Sequence, residues 1–184
     1  MKVFKYEITG EVSCDILSQL PPWRLSKALS YKRDIDRFLC AKAYLLLKEG
    51  LREIYGIDED VEFEYSPSGK PYLKGFEGIH FNISHCPKCV CCAISDSPVG
   101  IDVEEIQYDR ALAETVCNRN ELDVILKSPH PEIEFTKLWT KKEALLKMTG
   151  EGLRNDLSDV LSSPLCSFHT EVFDGYICTS ATTI

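Results

Sequence analysis

The chain has 184 residues, 44% of them apolar and 27% charged, which is enough for one packed domain or two small fused halves. Its 29 acidic and 21 basic residues give a net charge of -8, which argues against a general nucleic-acid binder. No apolar run approaches the roughly 18 residues needed to cross a bilayer, and the N-terminal residues lack the apolar segment of a signal peptide. We therefore expect a globular, cytoplasmic, monomeric protein with no membrane and no nucleic-acid partner.

Residues 21–50 form a basic segment on this acidic chain. They hold seven lysine or arginine residues and three acidic ones, which leaves a local charge of +4. A solvated helix face is the usual explanation of such a run. A docking surface for an acidic partner is the alternative, and the sequence leaves both open.

The sequence pattern of residues 34–104 predicts one long helix followed by a series of strands. From Asp34 to Tyr55 apolar residues recur at helical spacing, which predicts an amphipathic helix that ends near Gly56. Alternating and β-prone runs predict strands, with a turn between the first two, and the last two are expected to adjoin. These strands are 61–65, 70–73, 79–83, 90–95 and 99–104.

The second half predicts two helices and a hairpin. Asn118 and Glu121 have the spacing of a capping box, which opens a short helix that stops before Ser128. A longer helix ends at Gly150, and Asp174-Gly175 predicts the turn of a closing hairpin. The mixed order of helices and strands indicates the α+β class. The expected ranges are 132–148 for the longer helix, and 165–173 with 176–182 for the hairpin.

The nine cysteines form an odd set, and no secretion signal suggests an oxidising compartment, so free thiols are predicted. A cluster of four could form part of a zinc site, but no second Cys-x-x-Cys or histidine pair completes a tetrahedral set. Small residues of the core and of strand faces are the favoured interpretation. The cluster consists of Cys86, Cys89, Cys91 and Cys92.

Asp102 and Glu104 share one face of a predicted strand. Side chains alternate along a strand, so Val99, Ile101 and Val103 face one way and the two carboxylates face the other. Two oxygen ligands on one strand suit a magnesium ion that also holds substrate phosphates and water. An ordinary half-exposed strand has the same alternation, so the pattern alone leaves both interpretations open.

Trp139, Glu143 and Lys147 lie four residues apart on the longer predicted helix and therefore form one stripe. The stripe offers a carboxylate for a metal ion beside an ammonium for a phosphate. A surface Glu–Lys pair, with Trp139 in the core, is the alternative.

Ser84 and His85 are neighbours on a predicted strand, so their side chains face opposite ways and a nucleophile–base pair is not expected. A lone histidine is usually structural, and only its context can indicate that it donates a hydrogen bond to a phosphate.

These segments resemble the signatures of surfactin-synthetase-type 4'-phosphopantetheinyl transferases in residue type, order and spacing. A Gly69-Lys70-Pro71 element is similar to the family's Gly-Lys-Pro, and the resemblance extends from about Lys32 to the C-terminal hairpin. The first thirty residues align only loosely. The segments are Phe81-Asn82-Ile83-Ser84-His85, Val99-Gly100-Ile101-Asp102-Val103-Glu104 and Leu138-Trp139-Thr140-Lys141-Lys142-Glu143-Ala144-Leu145-Leu146-Lys147, with Gly150-Glu151-Gly152-Leu153.

The resemblance implies both a fold and an activity. The fold would have two similar α+β halves, 1–98 and 99–184, related by a pseudo-twofold axis, with coenzyme A in the cleft between them. The activity would be magnesium-dependent transfer of 4'-phosphopantetheine from coenzyme A to a serine of an apo acyl or peptidyl carrier protein, releasing 3',5'-ADP. Fatty acid, polyketide and nonribosomal peptide biosynthesis all use this arm, so the sequence leaves the pathway open.

The resemblance also implies roles for individual residues. Glu143 is our candidate general base, with Glu104 and Glu105 as alternatives. The family's N-terminal basic residues, which reach the 3'-phosphate, have Arg24 and Lys27 as candidate counterparts. The implied magnesium ligands are Asp102, Glu104 and Glu143, the implied catalytic residues are Glu143 and Lys147, and the implied contacts to coenzyme A are Arg37, Lys70, Ser84, His85 and Lys147.

Two other functions compete with this one. A carrier-binding homologue without catalysis is disfavoured by the complete set of Asp102, Glu104, Glu143 and Lys147. A metal-dependent phosphatase or nuclease is disfavoured because further His or Asp ligands for a second metal are absent. The chain is short for the two-half type, so a reduced carrier-binding surface is expected.

Overall fold

A computed structural model of the protein describes residues 1–152, 156–162 and 166–184. Two predicted positions, Leu153 of the glycine motif and Leu165 at the start of the hairpin, lie outside these ranges. The described chain mixes helices and strands, which confirms the α+β class. None of its helices is long and apolar enough to span a membrane.

Each half of the chain contains both helices and strands. The first half contains β1 (Lys2–Glu7), a 3₁₀ turn (Cys14–Gln19), α1 (Pro22–Leu29), α2 (Asp34–Tyr55), β2 (Phe63–Tyr65), β3 (Pro71–Leu73), β4 (His80–Cys86) and β5 (Cys89–Ser95). The second half contains β6 (Val99–Glu105), α3 (Arg110–Val116), α4 (Arg119–Lys127), α5 (Pro131–Thr149), β7 (Cys166–Phe173) and β8 (Tyr176–Thr183).

Each half contributes a three-stranded antiparallel sheet, and the two sheets have matching strand orders. The orders are β1-β5-β4 and β6-β8-β7, so the last strand of each half is central. In each half the longest helix follows the first strand of the sheet and precedes the other two. Strands β2 and β3 form a separate antiparallel hairpin, as the turn chemistry predicts.

Helix α2 supplies the core of the first half. It begins at Asp34 and is capped by Gly56, as predicted, with φ of 70° at the glycine. Glycine adopts this left-handed conformation without a Cβ clash, and its N–H reaches back to the carbonyls of the last turn. Tyr44, Leu47 and Leu51 on this helix are fully buried in the cluster that also contains β5 side chains.

Helix α5 lies directly on strand β6 because Gly100 has no side chain. A Cβ at this position would lie 1.9 Å from the Ala144 carbonyl oxygen, so any larger residue would push the helix away. This close approach brings the face of α5 that carries Lys147 to the level of Asp102 on β6.

Lys142, the neighbour of Glu143 on α5, is fully buried and braces the second half. Its ammonium donates to the Val116 carbonyl at 2.7 Å, to Glu121 Oε2 at 2.7 Å and to the Leu157 carbonyl at 2.8 Å. All three donors are satisfied, as a buried ammonium requires. Glu121 also completes the predicted capping box, which the structure confirms at the start of α4.

The outer edge of β6 is covered by side chains of β4. Asn82 Oδ1 accepts the Ile101 N–H at 2.8 Å, and Ser84 Oγ accepts the Val103 N–H at 3.4 Å. These contacts satisfy edge N–H groups that would otherwise be buried without partners. The prediction that β5 and β6 adjoin in one sheet is wrong, because the two strands belong to different sheets.

The cysteine cluster lies inside the protein, with Cys92 in the core of the first half and the other three where strands of both sheets meet. All nine cysteines are unpaired, and Cys86, Cys89, Cys91 and Cys92 are buried on β4 and β5. The expectation of core and strand-face residues is thereby confirmed. The Sγ atom of Cys91 lies 3.6 Å from that of Cys178 on β8, so this thiol contact links the two sheets.

Candidate functional site

A cleft of about 310 Å³ opens between residues of the first half and residues of the second. The turn between β2 and β3 and strand β4 line one side. Helix α5 and the glycines that follow it line the other. Its lining includes Ser68, Lys70, Asn82, Glu143, Lys147 and Gly150, so three of the predicted site residues share this cleft.

Asp102, Lys147 and Ser84 form a hydrogen-bonded network beside the cleft. The Lys147 ammonium donates to Asp102 Oδ1 at 2.5 Å and to Ser84 Oγ at 3.0 Å. The Ser84 hydroxyl in turn donates to Asp102 Oδ1 at 3.0 Å. Asp102 is only 2% exposed, so its charge depends on these partners.

Glu104 and Glu143 lie near Asp102 in partly buried positions. Burial and then the charge of Asp102 raise the pKa of Glu143, and Lys147 opposes this rise. The same two causes raise the pKa of Glu104, where Lys147 and a hydrogen bond from Trp139 oppose the rise. Burial is the larger cause of both raised pKa values, and the part contributed by Asp102 indicates that the carboxylates lie near one another.

Two buried oxygens in this region have no hydrogen-bond partner within the described structure, namely Asp102 Oδ2 and Glu143 Oε1. Unpartnered buried carboxylate oxygens are rare because their desolvation is costly. One oxygen comes from β6 and the other from α5, so together they offer a cation one ligand from each element.

His85 lies on the face of β4 opposite to Ser84, as strand alternation predicts, and its residue is exposed while Ser84 is buried. Desolvation by neighbouring protein atoms and then the charge of Lys147 lower the pKa of His85, with a smaller opposing effect from Asp36. The imidazole is therefore close enough to Lys147 and to the start of α2 to respond to both.

Arg37 and Lys70, both predicted contacts to coenzyme A, use their charged groups within the protein. Arg37 pairs with Asp34 at 2.9 Å and donates to the Tyr31 carbonyl at 3.0 Å, and it is absent from the described lining of the cleft. Lys70 lines the cleft, but its ammonium donates to two backbone carbonyls of the second half.

The side chain of Arg24 packs against core residues of the first half. Its guanidinium donates to the Cys40 carbonyl at 2.9 Å and lies 5.7 to 6.0 Å from the ring centroids of Trp23, Tyr44 and Phe63. Such cation–π contacts stabilise a charge that is partly removed from water. Lys27, the other candidate counterpart, is exposed.

The sequence matches known proteins across this region. Residues 98–181 match the model of the 4'-phosphopantetheinyl transferase superfamily. The chain is 34% identical over 162 residues to the 4'-phosphopantetheinyl transferase gsp of Aneurinibacillus migulanus, a match that covers 78% of this chain and 68% of that protein. The chain belongs to the 4'-phosphopantetheinyl transferase superfamily.

Two further relatives in the superfamily come from Bacillus. The chain is 38% identical over 118 residues to the 4'-phosphopantetheinyl transferase psf-1 of Bacillus pumilus, covering 62% of this chain and 51% of the relative. It is 30% identical over 152 residues to the 4'-phosphopantetheinyl transferase Sfp of Bacillus subtilis, covering 80% and 63%. The chain thus spans about half to two thirds of the length of these relatives.

In this phosphopantetheinyl transferase homologue, the carboxylates could hold a magnesium ion only together with other ligands. Within residues 1–152, 156–162 and 166–184, no three carboxylate, imidazole or thiol groups are arranged to hold a metal. The unpartnered oxygens of Asp102 and Glu143 nevertheless provide two hard ligands. Magnesium is commonly held by one or two carboxylates while substrate phosphates and water complete its shell, so the donor set fits.

The sequence of this superfamily member did not reveal the role of Asn82. It lines the cleft, is 6% exposed, and bonds the amide of the residue that precedes Asp102. Its position two residues before Ser84 on the same strand was the available signal, since both then face the same way. The structure was needed to show that β6 lies on that side.

Proposed function

We propose that the protein transfers 4'-phosphopantetheine from coenzyme A to a serine of an apo acyl or peptidyl carrier protein and releases 3',5'-ADP. The observation that carries this proposal is the convergence of Asp102, Glu143 and Lys147 from two elements beside a cleft lined by both halves. Membership of the superfamily supplies the reaction class.

We further propose that residues 1–98 and 99–184 are two similar halves related by a pseudo-twofold axis, with coenzyme A in the cleft between them. The matching strand orders of the two sheets support this arrangement. So does the equivalent place of α2 and α5 in each half. A cleft of about 310 Å³ is at the lower end of the range for small-molecule sites, so part of coenzyme A would extend beyond it.

Different residues around the cleft have different proposed roles toward the diphosphate of coenzyme A. The proposed magnesium ligands are Asp102 and Glu143, which have the unpartnered oxygens, together with Glu104, for which the described structure shows no such oxygen. A magnesium ion held there would neutralise charge on the diphosphate and stabilise the leaving phosphate. Lys147 lies beside Asp102 and is proposed to donate to the diphosphate, which places a second positive charge where negative charge develops.

The chemical step is attack of the carrier serine Oγ on the β-phosphorus of coenzyme A. The new bond joins Oγ to that phosphorus, and the bond to the bridging oxygen of the diphosphate breaks, which releases 3',5'-ADP. The serine proton is proposed to pass to Glu143, which lines the cleft. Glu104 and Glu105 are the alternative bases.

The remaining proposed residues contact parts of coenzyme A away from the reacting phosphorus. Ser84 and His85 are proposed to contact coenzyme A from β4. Lys70 is proposed to contact it through the side-chain stem that lines the cleft, since its ammonium donates to two backbone carbonyls. Arg37 is proposed to reach the 3'-phosphate, which requires its guanidinium to exchange an exposed ion pair with Asp34 for the phosphate. Exposed ion pairs are worth little, so this exchange is feasible.

The carrier is proposed to dock as an acidic partner on the basic segment 21–50. The structure reduces the charge available there, because Arg33 pairs with Asp36 and Lys48 pairs with Asp60. Lys32 is exposed and has no ion-pair partner among the described side chains, so it is a candidate contact for the carrier. The protein is proposed to act as a cytoplasmic monomer.

The release of 3',5'-ADP tests the proposed function. Chromatography of coenzyme A incubated with magnesium, the protein and an apo carrier should reveal 3',5'-ADP in step with carrier consumption. A carrier whose modified serine is replaced by alanine is the control and should give none. Release that is independent of the carrier serine would indicate a hydrolase instead.

A further inference from the structure

Lys70 connects the first half of the protein to the end of helix α5. It lies in the turn between β2 and β3, and its ammonium donates to the Met148 carbonyl at 2.7 Å and to the Val99 carbonyl at 3.3 Å. The two acceptors belong to the last turn of α5 and to the first residue of β6. One side chain therefore joins the two elements that carry Lys147 and Asp102.

The Met148 carbonyl needs an external donor. It is one of the last four carbonyls of α5, which have no partner within the helix, and the carbonyl end of a helix carries a partial negative charge. An ammonium satisfies both the hydrogen bond and the charge. Lys70 is partly buried, and this burial lowers the pKa of its ammonium.

The helix end is shaped to receive this side chain. Gly150 caps α5 with φ of 72°, and a Cβ at this position would lie 3.2 Å from Lys70 Cδ. A residue with a side chain would therefore be strained in its backbone and crowded against the lysine stem. The cap and the lysine fit each other, which points to a structural use of Lys70.

We propose that Lys70 is a positioning residue, whose ammonium caps α5 from the other half and thereby fixes Lys147 and Glu143 at the cleft. The inference rests on the proposed function in one respect, that Lys147 and Glu143 act on the diphosphate. It differs from a role in reading the 3'-phosphate, because the ammonium is already bound by two carbonyls.

Hydrogen exchange tests the cap without any substrate. Lys70→Met removes the donors and keeps the stem, while Lys74→Met on the same hairpin removes an exposed ammonium that pairs with Glu62. Loss of a charge-assisted hydrogen bond predicts that exchange of the Gly150 amide, which donates to Leu146, becomes about tenfold faster or more in Lys70→Met. Lys74→Met should leave it unchanged. Unchanged exchange in Lys70→Met would overturn the proposal.

Steady-state kinetics distinguish positioning from phosphate recognition. Lys70→Met should lower kcat for coenzyme A and for dephospho-coenzyme A by the same factor and leave the ratio of the two KM values as in wild type. A rise in KM confined to coenzyme A would assign the ammonium to the 3'-phosphate and overturn the proposal. If Lys70→Met does not fold, Lys70→Gln and Lys70→Arg replace it in both experiments, and Arg should restore more protection than Gln.

The two proposals fail in different ways. If wild type transfers nothing to any carrier while Lys70→Met still loses protection at Gly150, the proposed function fails and the cap stands. If wild type is active and Lys70→Met matches it in exchange and in kcat, the cap fails and the function stands.

Discussion

The Lys147 ammonium lies 2.5 Å from Asp102 Oδ1, which joins helix α5 to strand β6 at the edge of the cleft. The second oxygen of Asp102 has no hydrogen-bond partner in the described structure, and neither does Glu143 Oε1. Asp102 is therefore satisfied on one side by a lysine and open on the other. This geometry underlies the predictions for a cation and for the diphosphate.

The first prediction concerns magnesium and is read as thermal stability. Magnesium with coenzyme A should raise the Tm of wild type by about 5 °C or more, because a ligand at 100-fold its Kd adds about 2.7 kcal/mol. Asp102→Asn and Glu143→Gln keep the side-chain shape but remove a charged ligand, so each should lose most of this shift. Differential scanning fluorimetry with and without EDTA measures it.

The control for this prediction is Glu134→Gln on the same helix, where Glu134 pairs with Lys137. It should keep the full magnesium-dependent shift. Wild-type shifts in Asp102→Asn and Glu143→Gln would remove both residues from the proposed ligand set.

The second prediction concerns Asn82, whose Oδ1 accepts the Ile101 N–H. Asn82→Leu should leave that buried N–H without a partner, which costs about 1–3 kcal/mol and corresponds to a fall in Tm of roughly 2–10 °C. Thermal unfolding measures the change. Asn120→Leu, at an exposed position on α4, should alter Tm by less than Asn82→Leu. Equal effects of the two substitutions would show that the bond to Ile101 contributes nothing.

Much of the fold could be predicted because its local signals agree with its packing. Helix α2 has a long apolar repeat and a glycine cap, and helix α5 has the same combination at Gly150. The box of Asn118 and Glu121 and the turn at Asp174-Gly175 are local as well. In each case residues close in sequence decide the structure.

The elements that the sequence missed depend on distant contacts. Strand β1 is an edge strand that exists through its pairing with β5, more than eighty residues away. Helices α1 and α3 have eight and seven residues, too short to be stable alone, and each buries a small face such as Ala28 or Ala113. Asp109 caps α3, a local signal that was available but weak by itself.

The candidate site was also predicted only in part, because some of its contacts are local in sequence and others depend on tertiary packing. Alternation on one strand and spacing on one helix pick out Asp102, Glu143 and Lys147 individually, and the structure brings them together. The ion pair of Arg37 and the carbonyl contacts of Lys70 could not be read from the sequence, because their partners are set by tertiary packing.

The third prediction concerns the nucleotide end of coenzyme A. Arg37→Ala and His85→Ala should raise KM for coenzyme A more than KM for dephospho-coenzyme A, which lacks the 3'-phosphate. A charge-assisted contact to a phosphate predicts about a tenfold difference between the two donors. Arg33→Ala is the matched control, since Arg33 is an exposed arginine that pairs with Asp36. Equal losses with both donors would assign Arg37 and His85 to other roles.

The fourth prediction concerns the carrier and the basic segment 21–50. Electrostatic docking acts mainly on the encounter rate and is screened over about 8 Å at physiological salt. Added salt should therefore raise KM for the carrier more than KM for coenzyme A. Lys32→Glu should reproduce the effect at low salt, and Arg33→Glu should add to it. A carrier KM that ignores salt and both substitutions would leave the segment as a solvated helix face.

The central claim is that this chain modifies carrier proteins through Asp102 and Glu143. Intact mass spectrometry of a panel of apo carrier proteins, after incubation with coenzyme A, magnesium and the wild-type protein, tests it most directly. At least one carrier should gain the mass of a single phosphopantetheine group, with the gain at its modified serine. The gain should fall by about 100-fold or more in rate in Asp102→Asn and Glu143→Gln and disappear with EDTA. A folded wild-type protein that modifies no carrier, or folded variants that modify one at the wild-type rate, would contradict the account.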